Sequence, residues 1–291
     1  MHPDELPIDD ALVRRLLAEQ FPEWAGLPLR RVASGGTVNA LYRLGDELLV
    51  RLPLRAGWGG GTLHEHEWLP RIAPSLPFAT PVLRGVGAPS DEYPSPWSVY
   101  AWLEGDNPVP GELEAAELLA ADLAAFVAAL RRIDRMGAPI SFRGVSLASR
   151  DDEFRGALAQ ARDEVDEDAA TRTWESSLAA PEWAGAPVWT HADLLPGNLL
   201  VSSGRLSAVL DWAASGVGDP ACDLIPAWYV LPSSARPAFR GALSFDDATW
   251  ERARGWALSI GVIALPYYRE TNPLMTQQAR YVIREVLGSP A

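Results

Sequence analysis

The sequence predicts an α+β fold in two parts, a small antiparallel sheet followed by a larger, mainly helical region. Three observations carry this. Short runs rich in Val, Leu and Tyr, parted by Gly35-Gly36 and Gly45-Asp46, follow one another over 27–53, and two more come at "TPVLRGVG" and "WSVYAWLEG". At "EGDNPVPGELEAAE" the strand pattern is broken by Gly, Asn and Pro and gives way to an alanine-rich helical run. The 291 residues suit two lobes, and the composition change sets them at 1–104 and 105–291.

In chain order, "IDDALVRRLLAEQF" (8–21) has apolar residues at helical spacing, with Asp9 or Asp10 as its cap. The runs "LPLRRVAS", "TVNALYRLG" and "ELLVRLP" read as three antiparallel strands. "TLHEHEWLPRIAP" (62–74) reads as a short helix that Pro74 ends. A long helix is expected to start near Glu112, interrupted in its apolar character by Glu117 and Asp122, and so buried rather than membrane-spanning. "WTHADLLPGNLLV" (189–201) and "RLSAVLDW" (205–212) look like short strands around turns, and helices are expected at 219–230, 247–265 and 275–287.

Hydrophobic residues at 48% and charged residues at 22% describe a folded globular chain. The net charge is −13, and all 25 basic residues are arginine. Without lysine, "GWGGGT" (57–62) is no P-loop, because that motif needs Gly-Lys-Ser/Thr on the phosphates. The acidic balance argues against nucleic acid, whose binding draws on clustered cations, and suits a cationic ligand. A single cysteine, Cys222, and an acidic N-terminus with no apolar run behind it point to the cytoplasm and to no membrane association.

The chemistry concentrates in His191-x-Asp193-x4-Asn198, followed by Asp211 at a strand end. Phosphoryl transfer needs a carboxylate to orient or deprotonate the attacking hydroxyl, and oxygen ligands for Mg²⁺ on the nucleotide phosphates. Asp193 suits the first role. Asn198 and Asp211 suit the second, because Mg²⁺ prefers hard oxygen and keeps several waters.

On "SGGTVNALYRLG", "LLVRLP", "HEHEWLPRIAP", "WSVYAWLEG", "THADLLPGNLLV" and "VLDWAASGVGDPACDL", the chain resembles the aminoglycoside phosphotransferase family, kinase relatives that phosphorylate small molecules. The last two stretches are the specific ones. The resemblance implies a two-lobed protein-kinase-like fold with ATP or GTP between the lobes, Asp193 as catalytic base, and Asn198 and Asp211 as Mg²⁺ ligands. It places Arg51 where kinases carry lysine, with Glu65 as its ion-pair partner. Ser34, Gly35 and Gly36 would form the phosphate-side glycine loop, although the two glycines alone also suit a plain hairpin. Tyr100, Ala101, Trp102 and Leu103 would bind the base through their backbone, and Asp223 would brace the catalytic loop.

Where the family usually has glycine before the catalytic Asp, this chain has Ala192, so a left-handed backbone there would be strained by about 1 kcal/mol. His191 reads as a hydrogen-bonding support and Asp219, before Pro220, as a helix cap. His64 and His66 are two apart on a helix and do not share a face for metal. The acidic "RDEVDED" (162–168) reads as a solvated helix face, or as a wall for cationic sugars, and Tyr267, Tyr268 and Glu270 as core or substrate contacts. The expected activity is transfer of the γ-phosphate of ATP or GTP to a hydroxyl of a small molecule, with a cationic aminoglycoside first among acceptors. A macrolide, a hydroxylated metabolite or a nucleotide-binding protein without turnover are the alternatives.

Overall fold

The computed structural model describes residues 5–33 and 36–288. The chain divides into two compact units, Met1–Pro74 with Ala79–Glu104, and Ser75–Phe78 with Gly105–Ala291. No helix among the described residues is long and apolar enough to cross a membrane.

The first unit is built on one antiparallel sheet of β1 (Leu29–Arg31), β2 (Asn39–Leu44), β3 (Leu48–Pro53), β4 (Leu83–Gly87) and β5 (Trp97–Ala101), in the order β1-β2-β3-β5-β4. Alternation along β2 buries Ala40, Tyr42 and Leu44. These join Val50 and Leu52 of β3 and Val99 of β5 in a core with Leu12, Val13, Leu16 and Leu17 of helix α1 (Asp10–Gln20), which Asp9 caps by accepting from the Leu12 N–H at 2.7 Å. Because side chains alternate, Arg51 leaves the sheet on the face opposite Val50 and Leu52. There it meets helix α2 (Gly60–Ile72), whose Thr62, Glu65, Trp68, Leu69 and Ile72 are buried at helical spacing. Pro70 lies inside this helix, and a 3₁₀ turn at Ala73–Ser75 ends it.

In the second unit, α3 runs Ala116–Leu130 and starts later than the expected Glu112. Gly111 at φ 87° and the turn closed by Glu112 N–H on Val109 O keep the preceding residues out of helix. Asp122, buried in α3, has a structural task. It accepts from Arg205 Nε and Nη2, both at 2.6 Å, and from Leu206 N–H at 3.1 Å. That ties α3 to the hairpin of β7 (Leu199–Ser202) and β8 (Arg205–Val209), whose turn holds Ser203 and Gly204 at positive φ, as a tight two-residue hairpin loop requires. Helices α4 (Asp151–Ala161), α5 (Glu167–Ala179) and α9 (Pro273–Leu287) pack on the long α8 (Asp247–Tyr268). The expected helix over 219–230 is broken into a 3₁₀ turn, Pro220–Leu224, and the short α6 (Pro226–Tyr229), because Pro226 has no N–H to continue the ladder. Helix α7, Arg236–Ala242, follows it.

A two-stranded antiparallel sheet pairs β6 (Val188–Thr190) with β9 (Gly216–Gly218), a strand the sequence pattern does not predict. It sits under the segment 139–144, which β9 holds through Ser141 N–H on Val217 O at 3.1 Å and Val217 N–H on Pro139 O at 2.8 Å. The approach is close enough that a Cβ on Gly218 would stand 2.3 Å from Gly144 Cα. Gly218→Ala therefore forces two backbones apart; a loss of about 1–3 kcal/mol is expected in chemical denaturation, against near-neutral behaviour for Gly241→Ala, whose Cβ meets nothing within 4 Å.

Candidate active site

Strand β6 delivers the chain to His191, and a buried carboxylate catches it. Asp223 Oδ2 accepts from the His191 N–H at 2.8 Å and Oδ1 from the Ala192 N–H at 2.7 Å. Burial pushes the Asp223 pKa up to about 7, while the two N–H bonds pull the other way. Ala192 is held at φ 65°, the left-handed conformation that its missing glycine would have taken without strain. Asp219 caps the following 3₁₀ turn through the Ala221 N–H at 3.0 Å and is gripped by Arg252 Nε at 2.7 Å.

His191 is fully buried and both ring nitrogens are engaged. Leu210 O lies 2.9 Å from Nε2 and can only accept, so Nε2 carries the proton; Nδ1 then accepts from the Asp193 N–H at 3.3 Å. The ring packs edge-on against Trp212, with centroids 4.8 Å apart. His191 is thus a pillar between the loop and the β8 end, its one ring N–H proton committed to Leu210 O.

Asn198 Nδ2 donates to Asp193 O and to Asp193 Oδ2, each at 2.8 Å. With both amide protons so used, Asn198 Oδ1 faces away and accepts no hydrogen bond among the described residues. The Asn198 carbonyl accepts from Leu210 N–H at 2.8 Å, and the next residue, Asp211, turns at φ 55°. The structure therefore brings Asp193 and Asn198 into contact and sets Asp211 one residue from the Leu210–Asn198 bond. Among the described residues no cluster of three or more His, Cys, Asp or Glu could hold a metal. One amide oxygen and one carboxylate are a donor set that fits Mg²⁺, which needs few protein ligands. Asn107 supports the turn from outside, donating to Leu199 O at 2.8 Å.

One contact here was invisible in the sequence. Arg143, fifty residues before Asp193, donates from Nη1 to Asp193 Oδ1 at 2.5 Å and to Ala192 O at 2.7 Å. No motif marks it. In the first unit Arg51 Nη1 pairs with both Glu65 oxygens, at 3.0 and 2.8 Å, with the two residues 8% and 1% exposed. Asn39, with its amide oxygen toward the guanidinium, accepts from Arg51 Nε at 3.0 Å and Nη2 at 3.2 Å.

Of residues 100–103, the first three are tied into the first unit. The Tyr100 side chain is buried and its hydroxyl donates to Glu65 Oε2, which with burial raises the Tyr100 pKa. The Ala101 and Trp102 N–H groups donate to Val82 O and Glu47 O at 2.8 and 2.7 Å. Only Leu103 among the four makes no hydrogen bond within the described residues. Gly36 is exposed, and Ser34 and Gly35 lie outside the described residues. In "RDEVDED", Asp166 caps α5 and Glu164 bridges Arg269 and Arg280, so these carboxylates already have partners. Tyr267, 56% exposed, lies edge-on to Tyr268 and is not core.

The brace has measurable weight. Asp223→Asn replaces one acceptor oxygen by a donor facing a backbone N–H, and should cost about 1–3 kcal/mol. In the folded chain Asp223 keeps its proton to about pH 7, whereas the unfolded chain releases it near 3.8. Its favourable contribution is full below pH 3.8 and lost as pH rises through 7, so the stability of wild type relative to Asp223→Asn should fall across that window. A gap that stays constant in denaturation at stepped pH contradicts this. At Ala192, relief of about 1–2 kcal/mol of left-handed strain by glycine is offset by its chain entropy, about 0.5–1, and a lost buried methyl, about 0.8. Ala192→Gly should therefore shift stability by less than about 1 kcal/mol, whereas Ala192→Val, branched at a positive φ, should lose more than about 2 kcal/mol.

Solved structures show the same fold. Aminoglycoside 2'-phosphotransferase-IIIa in its GDP complex is 17% identical with a TM-score of 0.77, over 97% of this chain and 99% of that one. The GDP and kanamycin complex of APH(2")-IIIa matches at 17% identity and a TM-score of 0.76, covering 96% and 99%. Macrolide 2'-phosphotransferase MphH from Brachybacterium faecium, as apoenzyme, is 24% identical with a TM-score of 0.62, covering 97% and 98%. No curated protein matches the chain. The model of the phosphotransferase enzyme family matches residues 29–256, a span that holds Arg51, Glu65, Asp193, Asn198, Asp211 and Asp223. The chain belongs to the phosphotransferase enzyme family.

Proposed function

We propose that this protein is a Mg²⁺-dependent kinase that moves the γ-phosphate of ATP or GTP to a hydroxyl of a small molecule. The observation that carries the reading is the Asp193–Asn198 contact on a loop pinned by Asp223. It fixes a partly exposed carboxylate beside an amide oxygen that is free to ligate. Asp193 orients the acceptor hydroxyl and takes its proton. Asn198 and Asp211 would hold Mg²⁺, which when bound offsets negative charge on the phosphates. Arg51, kept in place by Glu65 and Asn39, is the first-unit cation we assign to the phosphates, and the backbone of Leu103, without a hydrogen bond among the described residues, is the part of 100–103 we assign to the base. GDP and ADP in the structures of similar proteins support a nucleotide co-substrate.

For the acceptor, an aminoglycoside is supported by the net charge of −13 and by the kanamycin and gentamicin complexes of similar structures. A second reading has its own observation. Ile140 and Phe142, on the segment that carries Arg143, are 58% and 61% exposed. Apolar surface beside the acidic site suits a macrolide, and two macrolide phosphotransferases are among the similar structures.

The test is nucleotide consumption by purified protein with Mg²⁺, ATP or GTP, and a panel of aminoglycosides, macrolides and hydroxylated metabolites. Turnover with at least one acceptor is expected, and Asp193→Ala should lower it by about 10²–10⁴ while nucleotide binding persists. Tight nucleotide binding with no consumption across the panel would mark a binding protein instead. Undiminished turnover in Asp193→Ala refutes the base.

A further inference from the structure

Arg143 stands on a segment whose backbone has little freedom. Ser141 N–H, Phe142 N–H and Asp219 N–H bond respectively to Val217 O, Ala214 O and Gly144 O, at 3.1, 3.0 and 3.1 Å. Gly144 and Gly218 touch backbone to backbone. A segment fixed this firmly delivers its one long cation to a set point. That point is Asp193 Oδ1, on the carboxylate whose other oxygen Asn198 holds.

Only Nη1 of the guanidinium forms hydrogen bonds. Nε and Nη2 have no hydrogen-bond partner among the described residues, the side chain keeps 16% of its surface exposed, and the Phe142 ring lies 5.2 Å away. Were Arg143 a structural pin alone, the Ala192 carbonyl and the carboxylate would account for one nitrogen and leave the rest of the fork idle beside the reacting hydroxyl. Planar guanidinium donors match the oxygens of a phosphoryl group in pairs.

We propose that Arg143 supplies a functional cation to the transfer site, holding Asp193 through Nη1 and offering Nε and Nη2 to the oxygens of the transferred phosphoryl group. This rests on the reading of Asp193 as the base. In the step, the acceptor oxygen forms a bond to the γ-phosphorus. The bond from that phosphorus to the bridging oxygen breaks with its electron pair on the nucleoside diphosphate, and the hydroxyl proton passes to Asp193. Arg143 gains and loses no proton; it offsets charge gathering on the equatorial oxygens.

A phosphoryl mimic tests this without a known acceptor. Binding of ADP or GDP with Mg²⁺ is measured in the presence and absence of aluminium fluoride. Wild type should bind the diphosphate at least about tenfold more tightly with fluoride present, and Arg143→Ala should lose that gain while keeping the affinity for diphosphate alone. Turnover, with kanamycin or with water as acceptor, should fall about 10²-fold in Arg143→Ala with an unchanged KM for nucleotide. Added guanidinium should restore part of it, and Arg143→Lys, which keeps charge without the fork, should fall between. In an Asp193→Asn background, loss of Arg143 should cost little more, because the two act as a unit. Absence of the fluoride gain in wild type, or its survival in Arg143→Ala, overturns the proposal. So does a turnover loss that follows the loss of folded protein and ignores guanidinium. If Asp193→Asn is inactive and Arg143→Ala is not, Arg143 alone is wrongly assigned; if Asp193→Asn retains turnover, the base assignment falls first.

Discussion

One buried carboxylate governs the second unit's chemistry. Asp223 takes the N–H groups of two successive residues, and that pairing forces the chain through a left-handed turn at Ala192. From this turn the Asp193 side chain is aimed outward and the His191 ring inward. The ring then reaches Leu210 and, through it, the backbone that carries Asp211. Remove the carboxylate and two buried N–H groups lose their acceptors, a cost comparable to a sizeable fraction of a domain's net stability. The burial that raises its pKa is the same burial that keeps water from competing for those N–H groups.

In the first unit the organising charge is also buried but is compensated differently. Arg51 and Glu65 neutralise each other, Tyr100 donates to Glu65, and Asn39 accepts from the guanidinium. Added hydrogen bonds help decide whether a buried ion pair is tolerable, since desolvation otherwise outweighs attraction. The sheet makes the arrangement possible, because alternation sends Arg51 to the α2 side while Val50 and Leu52 fill the core.

Much of this was readable beforehand, for physical reasons that differ by element. The strands announced themselves because one face is apolar and the turns need glycine, and Asp9 and Asp219 are caps whose chemistry is local. The loop was readable because Asp193, Asn198 and Asp211 are close in sequence. The Arg51–Glu65 pair came from family resemblance, since neither residue is distinctive alone. Strand β9 escaped notice because two glycines outweigh the single valine as a strand signal; its pairing goes with close packing against 139–144. The start of α3 was misplaced because alanine and glutamate favour helix while the left-handed Gly111 does not. The bonds of Tyr100 to Glu65 and of Arg143 to Asp193 leave no local pattern, because each joins residues tens of positions apart.

The guanidinium on β3 has one more implication. A lysine in that buried position would have an ammonium whose ionisation burial can shift toward neutrality, whereas arginine retains its proton at every pH where proteins stay folded. The anchor of the first unit is therefore a constant charge. Whatever acidity profile this protein displays, its origin lies elsewhere than in strand β3.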